Sequence, residues 1–149
     1  MFAAFPLLAL PVLVYNLIAL TLSGGGFKAA TAQAHMGEQL FTIKMASGTV
    51  WPVSMGDLLL AVSLVVLFIE LLKSTTSRNI AIINHSLSLI LFILCLVEFL
   101  LFPAFATSTF FLITVMVVLD VLAGFIVTIV AARRDVDFVG GGGGDHLPH

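Results

Sequence analysis

The chain has 149 residues, of which 60% are hydrophobic and 9% are charged, and its net charge is −2. Soluble domains carry about 25% charged residues, so this composition excludes a protein whose whole surface faces water. Six basic residues spread along the chain form no patch for nucleic acid. We therefore expect a single domain that has the lipid bilayer as its main solvent.

The first apolar segment, residues 4–22, predicts a transmembrane helix. It contains no charged side chain, and its polar residues near the middle are Tyr15 and Asn16. A cleaved secretory signal is the alternative, but signals begin with basic residues and end at a nearby A-x-A site. Here the first basic residue is Lys28, and the A-x-A sequence at 32–34 lies well beyond the apolar run. A retained helix is favoured, and cleavage would leave three crossings.

Residues 24–54 are the main polar excursion and predict an extracytoplasmic loop that contains a β-hairpin. Apolar and polar side chains alternate over 41–46, and Ser47-Gly48 offers a turn. A β-favouring run resumes at Thr49. The pattern is typical of two short antiparallel strands.

Three further apolar runs follow, and each is long enough to cross the hydrocarbon core as a helix. The predicted helices are residues 55–73, 79–102 and 108–132. Ser54 and Asp57 have the S-x-x-D spacing of a capping box at the first of them, and Pro103 ends the second. Residues 135–149 contain a five-glycine run and predict a disordered tail.

The basic residues predict the orientation of this bundle. Lys73 and the arginines at 78, 133 and 134 lie at helix ends that four antiparallel crossings place on one side. Cytoplasmic loops are enriched in such residues, so both termini are expected in the cytoplasm and loop 24–54 outside. The predicted fold class is an all-α, multi-pass cell-membrane protein. Residues 1–134 form an antiparallel four-transmembrane-helix bundle with a small extracytoplasmic β-hairpin between helices 1 and 2.

Asp120 lies near the centre of the last predicted helix, where an acid costs about 2.5–3.5 kcal/mol on insertion scales. Asp120, Gly124 and Val127 lie on one stripe, so this face is expected to pack against another helix. Tyr15 and Asn16 lie at a similar depth, and the geometry of the bundle allows a hydrogen bond from either to Asp120. Two interpretations stay open: a protonated acid that joins helices, and a proton or cation site whose charge changes during turnover.

A polar line also follows the third predicted helix. Asn84, Ser88, Cys95 and Glu98 lie within one sector of a helical wheel and are expected to point into the bundle. Glu98 is close to the outer end of that helix. It is interpreted either as a solvated interfacial carboxylate or as part of a proton pathway.

Glu70, near the end of the second predicted helix, comes level with Asn84 and His85 on the returning helix. The functional interpretation is a carboxylate–imidazole proton relay. The structural interpretation is a hydrogen bond that locks the helix pair, next to a snorkelling Lys73.

These residues leave two classes of function open. No nucleophile, metal-ligand or haem-ligand set converges, and His85 is the single histidine within the predicted helices, so we expect neither an enzyme nor a cofactor. The first class is a non-catalytic accessory subunit or homo-oligomeric component, with partner transmembrane helices. The second is a proton-linked small transporter or channel that uses Asp120 as its coupling carboxylate.

Overall fold

The computed structural model describes residues 5–21, 29–74 and 78–140. Its elements in chain order are α1 (Ala9–Thr21), α2 (Ala29–Met36), β1 (Gln39–Lys44), β2 (Val50–Ser54), α3 (Met55–Ser74), α4 (Arg78–Leu101), a 3₁₀ turn (Pro103–Phe105) and α5 (Ser108–Gly140). Among the described residues, three helical segments are long and apolar enough to cross a membrane. They are Met55–Lys73, Ile83–Leu101 and Ser108–Val130.

Helix α5 is the centre of the fold. It packs extensively against α4 and α3, whereas α3 and α4 contact each other less, and α1 lies against α3 and α5. The opposite helix faces carry large apolar side chains that are more than half exposed, among them Leu64, Phe68, Leu100 and Ile126. Such faces are stable in hydrocarbon and costly in water. The described fold is therefore that of a helical protein suited to a lipid bilayer.

The first helix is shorter than predicted. Helix α1 has 13 residues and is about 20 Å long, whereas the predicted helix covered 4–22. Residues 5–8 form a turn instead, closed by a 3.0 Å hydrogen bond from the Ala9 amide to the Pro6 carbonyl. Pro11, which lacks an amide hydrogen, lies in the first turn of α1, where no such donor is needed. Residues 4 and 22 lie outside the described residues.

The predicted hairpin is present. Strands β1 and β2 pair antiparallel, with Ile43 opposite Trp51. The Met45 amide donates to the Thr49 carbonyl at 2.8 Å, and Gly48 has a φ of 86°, which glycine adopts without strain. The hairpin leads directly into α3.

The expected capping box is formed at the start of α3. The Asp57 amide donates to Ser54 Oγ at 3.1 Å, and the Ser54 amide donates to Asp57 Oδ2 at 3.0 Å. The predicted bounds of α3 and α4 agree with the structure to within one residue at each end.

Two parts of the chain differ from expectation. Helix α2 lies in what was predicted as loop 24–54; it packs on the 3₁₀ turn and on the start of α3. Helix α5 continues to Gly140, past the predicted end at 132 and into the segment 135–149 that was predicted as a tail. Residues 135–139 contain no glycine or proline, so nothing interrupts the backbone hydrogen bonds before the glycine run. Residues 141–149 lie outside the described residues.

Candidate functional site

Polar side chains inside the bundle form two clusters at different heights. The first contains Glu70, Asn84, His85, Ser88 and Asp120, and the second contains Tyr15, Asn16, Glu98 and Thr107. Lys73 near the end of α3 and Glu98 near the end of α4 mark opposite ends, because these consecutive helices run antiparallel across a short connection. We call them the Lys73 end and the Glu98 end. Ser88 lies midway along α4, ten residues after Arg78 and ten before Glu98, or about 15 Å from each.

Glu70 lies near the Lys73 end and is fully buried. Its Oε1 accepts a hydrogen bond from Asn84 Nδ2 and lies 3.2 Å from Lys73 Nζ. Its Oε2 accepts a 2.7 Å hydrogen bond from the Leu7 amide. The expected contact between Glu70 and Asn84 is thus present, and the ammonium group of Lys73 balances the carboxylate charge.

Asp120 lies deeper in the bundle and is also fully buried. Its Oδ2 accepts a 2.5 Å hydrogen bond from Ser88 Oγ, and its Oδ1 lies 3.8 Å from His85 Nδ1. His85 therefore faces Asp120, and no hydrogen bond joins it to Glu70. The predicted carboxylate–imidazole pair exists with a different acid from the one expected.

Several polar atoms around Asp120 are buried without a hydrogen-bond partner in the described part of the chain. These atoms are Asn84 Oδ1, both ring nitrogens of His85, and Asp120 Oδ1. The three side chains are 1%, 8% and 0% exposed, respectively. An unpaired buried polar group costs about 1–3 kcal/mol, and native proteins keep few of them. Ionisable side chains in the interior of a membrane-spanning region are candidates for a functional site, so Asp120 and His85 are the residues to consider here.

Gly124 positions the imidazole. A Cβ atom at Gly124 would overlap the His85 ring, so glycine at this position lets His85 lie directly against α5, one turn from Asp120. The sequence indicated that the Asp120–Gly124 stripe packs against a helix, and the structure identifies α4 as that helix. The particular partner, His85, was not predicted, because the pattern on one helix does not state the rotation of its neighbour.

The hydrogen bond from Tyr15 or Asn16 to Asp120 that their similar depth allowed is not formed. The Tyr15 hydroxyl donates to the Ala104 carbonyl at 3.0 Å and lies 2.6 Å from Thr107 Oγ1. Asn16 Nδ2 donates to Glu98 Oε2 at 3.2 Å. Helix α1 therefore runs from Glu70, which Leu7 contacts, to the Glu98 end, which Tyr15 and Asn16 contact.

Aromatic rings complete the cluster at the Glu98 end. The Tyr15 ring is 4.8 Å from the Phe110 ring and 5.6 Å from the Phe105 ring, centroid to centroid. Thr107 Oγ1 also accepts the Phe110 amide hydrogen at 3.2 Å and so caps the first turn of α5. From the sequence, residues 104–107 were predicted only as a short loop between the helices 79–102 and 108–132. The phenylalanines beside Pro103 were the available signal that it is packed.

An apolar layer separates the two clusters. Ile113 and Val117 on α5 and Cys95 on α4 are fully buried, and each lies between Asp120 or Ser88 and the Glu98 end in its own helix. The Lys73 side chain, by comparison, is 20% exposed. Asp120 and His85 can hold or exchange a proton chemically, and the polar groups next to them lead towards the Lys73 end.

The described residues contain no cluster of three or more side chains arranged to hold a metal ion. Comparisons of the chain with protein-family models, with curated proteins and with solved structures found no match. The case for a function therefore rests on the geometry of the buried polar residues.

Proposed function

We propose that the chain is a small proton-linked membrane transporter or channel component in which Asp120 and His85 bind and release a proton. The observation that carries this proposal is the burial of an acid beside an imidazole, 3.8 Å apart, halfway along the long helices. Asp120 Oδ1 and both His85 nitrogens form no hydrogen bond with the described residues, so these atoms retain the capacity to hold a proton.

The pair works as one titrating unit in this proposal. With one proton fewer, Asp120 is a carboxylate that accepts from Ser88; with one more, the pair is neutral or a close ion pair between Asp120 and the imidazolium. The net charge of the buried site changes by one. Since moving charge in a low-dielectric interior is costly, this change can drive a rearrangement of α4 against α5.

The membrane arrangement that fits this proposal has four antiparallel crossings. Residues 5–21 supply the first of them, supported by contacts from Leu7 to Glu70 at one end and from Asn16 to Glu98 at the other. The excess of basic residues at the Lys73 end supports a cytoplasmic location for that end. The hairpin and Glu98 are then extracytoplasmic, and the termini cytoplasmic, in a cell-membrane protein.

Proton flux in liposomes and infrared difference spectroscopy test the proposal together. In the parent, a carboxyl C=O band should titrate with pH and disappear in Asp120→Asn, which keeps the shape of the side chain. The same substitution should abolish proton flux. Ser63→Ala is the matched control, because Ser63 is equally buried but donates only within its own helix, to the Leu59 carbonyl at 2.7 Å. A parent and an Asp120→Asn variant with the same spectrum and flux would contradict the proposal.

A second candidate is a non-catalytic accessory subunit or homo-oligomeric component. The buried apolar side chains of Cys95, Ile113 and Val117 favour it, since they lie between the Asp120 cluster and the Glu98 end in the described part of the chain. Asp120 would then only join α5 to α4, and the exposed apolar faces would meet partner helices. Absence of flux in parent and variant, together with a stable oligomer or a co-purified partner in native mass spectrometry, would favour this candidate.

A further inference from the structure

We infer that residues 5–8, here called the N-terminal strap, close the access of water and protons to the buried polar cluster at the Lys73 end. The inference deepens the proposed function and rests on it for its purpose. Its structural content, that the strap controls access, is separate and can be tested separately.

Two hydrogen bonds hold the strap on the cluster. The Leu7 amide donates to Glu70 Oε2 at 2.7 Å, and Lys73 Nζ donates to the Phe5 carbonyl at 2.6 Å. The charged groups of α3 that face the cluster are thus the same groups that bind the strap. Leu8 is fully buried and anchors the strap in the core. Displacing these few residues would uncover Glu70 without unfolding a long helix.

The groups around Glu70 make the Lys73 end the side from which a proton reaches Asp120. Glu70 is faced by Lys73 from its own helix, by Asn84 from α4 and by the Leu7 amide from the strap, and His85, the residue after Asn84, lies beside Asp120 of α5. Asn84 and His85 are consecutive, so one turn of α4 contacts the Glu70 cluster on one side and Asp120 on the other. Towards the Glu98 end, the next buried side chain after Asp120 on α5 is Val117, and the next after Ser88 on α4 is Cys95. Both are apolar.

The proton step is simple in this arrangement. When the strap moves away, Glu70 Oε2 loses the Leu7 N–H and meets water. A proton from hydronium forms an O–H bond on the Glu70 carboxylate and leaves a water molecule. One proton then passes to the Asp120–His85 pair, and Glu70 returns to a carboxylate that accepts the Leu7 amide again. The net change is one proton moved from solution to the pair.

Cysteine accessibility measures whether the strap controls access. In a Cys95→Ala background, Ser88→Cys places a small thiol beside Asp120. The probe is methanethiosulfonate ethylammonium, which is charged and excluded from lipid, added to either side of oriented vesicles. Leu8→Ala loosens the anchor of the strap. It should raise the modification rate of Ser88→Cys by about tenfold or more, because truncating a buried leucine strongly favours local opening. The increase should occur only from the Lys73 side.

Two matched controls define the result. Leu10→Ala lies two residues further along, where Leu10 is 53% exposed, and should leave the rate unchanged. Native Cys95, in the apolar layer, should stay unreactive with and without Leu8→Ala. Equal rates for Leu8→Ala and Leu10→Ala, or modification from the Glu98 side, would overturn the inference.

A second measurement covers the case in which Ser88→Cys does not fold. After a pH jump, the infrared band of the Asp120 carboxyl should change faster in Leu8→Ala than in Leu10→Ala. Equal rates in the two variants would overturn the inference.

The proposed function and the inference about the strap fail on different results. An Asp120 that never titrates removes the proposed function but not a strap-dependent thiol rate. A thiol rate independent of the strap removes the inference but not proton binding.

Discussion

At the Glu98 end, polar groups are paired with one another and covered by aromatic rings: the Tyr15 hydroxyl reaches Ala104 and Thr107, and Asn16 reaches Glu98. Around Asp120, about 15 Å away along α4, the buried side chains of Asn84, His85 and Asp120 keep atoms that have no hydrogen-bond partner among the described residues. Both clusters join helices, but among the described residues the buried side-chain atoms without a hydrogen bond all lie around Asp120. The difference separates a region that stabilises the fold from one that retains unfavourable groups, as functional sites do.

Removing the Tyr15 side chain should have the largest effect on stability. Tyr15→Ala leaves a cavity among Phe105 and Phe110 and is expected to lower the free energy of unfolding by about 3–5 kcal/mol. Tyr15→Phe keeps the ring and should lose only about 1 kcal/mol. Reversible unfolding in mixed micelles measures both. Equal losses for the two variants would mean that the hydroxyl, rather than ring packing, holds this end together.

Gly124→Ala should have the next largest effect. The added methyl group overlaps the His85 ring, so the free energy of unfolding should fall by about 1–3 kcal/mol, as in other overpacked cores. The double variant His85→Ala/Gly124→Ala should recover most of this loss, because alanine is otherwise the better helix former. A loss that persists in the double variant would place the strain elsewhere.

The two buried serines provide a direct contrast. Ser88→Ala removes the donor to Asp120 Oδ2 and should cost about 1–2 kcal/mol, since it leaves another acceptor unpaired. Ser63→Ala removes a bond within its own helix and should cost at most about 0.5 kcal/mol. The same unfolding assay compares them. Indistinguishable values would argue against a special environment at Asp120.

Ser54→Ala should have a smaller effect than Tyr15→Ala, Gly124→Ala or Ser88→Ala. It removes the N-cap of α3 at the hairpin and is expected to cost about 1 kcal/mol or less of helix stability. The change should appear as faster amide hydrogen exchange in the first turn of α3, with the Asp120 cluster unaffected. Faster exchange at His85 would show that the two regions are coupled.

Much of the helical framework could be predicted from local patterns. The apolar runs of α3, α4 and α5, the Ser54–Asp57 capping box and the hairpin around Gly48 depend on residues close in sequence. These local patterns predict a helix, a cap or a turn whichever segment packs against it. The structure differs from the predicted bounds at the start of α1, at α2 and at the end of α5, where helix length depends on turns and on packing rather than on hydropathy.

The pairing of the polar residues could be predicted only in part. Glu70 and Asn84 face each other across a short helical connection, so helix rise alone places them level. Tyr15 was placed near Asp120 by depth alone, and depth does not determine which neighbour a side chain faces; its hydroxyl meets Ala104 and Thr107 instead.

The sequence by itself determined that the long helices would lie in lipid and that their few acids and amides would turn inward, because exposing either to the wrong solvent costs several kcal/mol. It did not determine which inward groups meet. That was decided by the close approach of α4 and α5 at Gly124 and by the strap over Glu70. Helix rotation and offset depend on how whole surfaces fit together, which no single segment encodes.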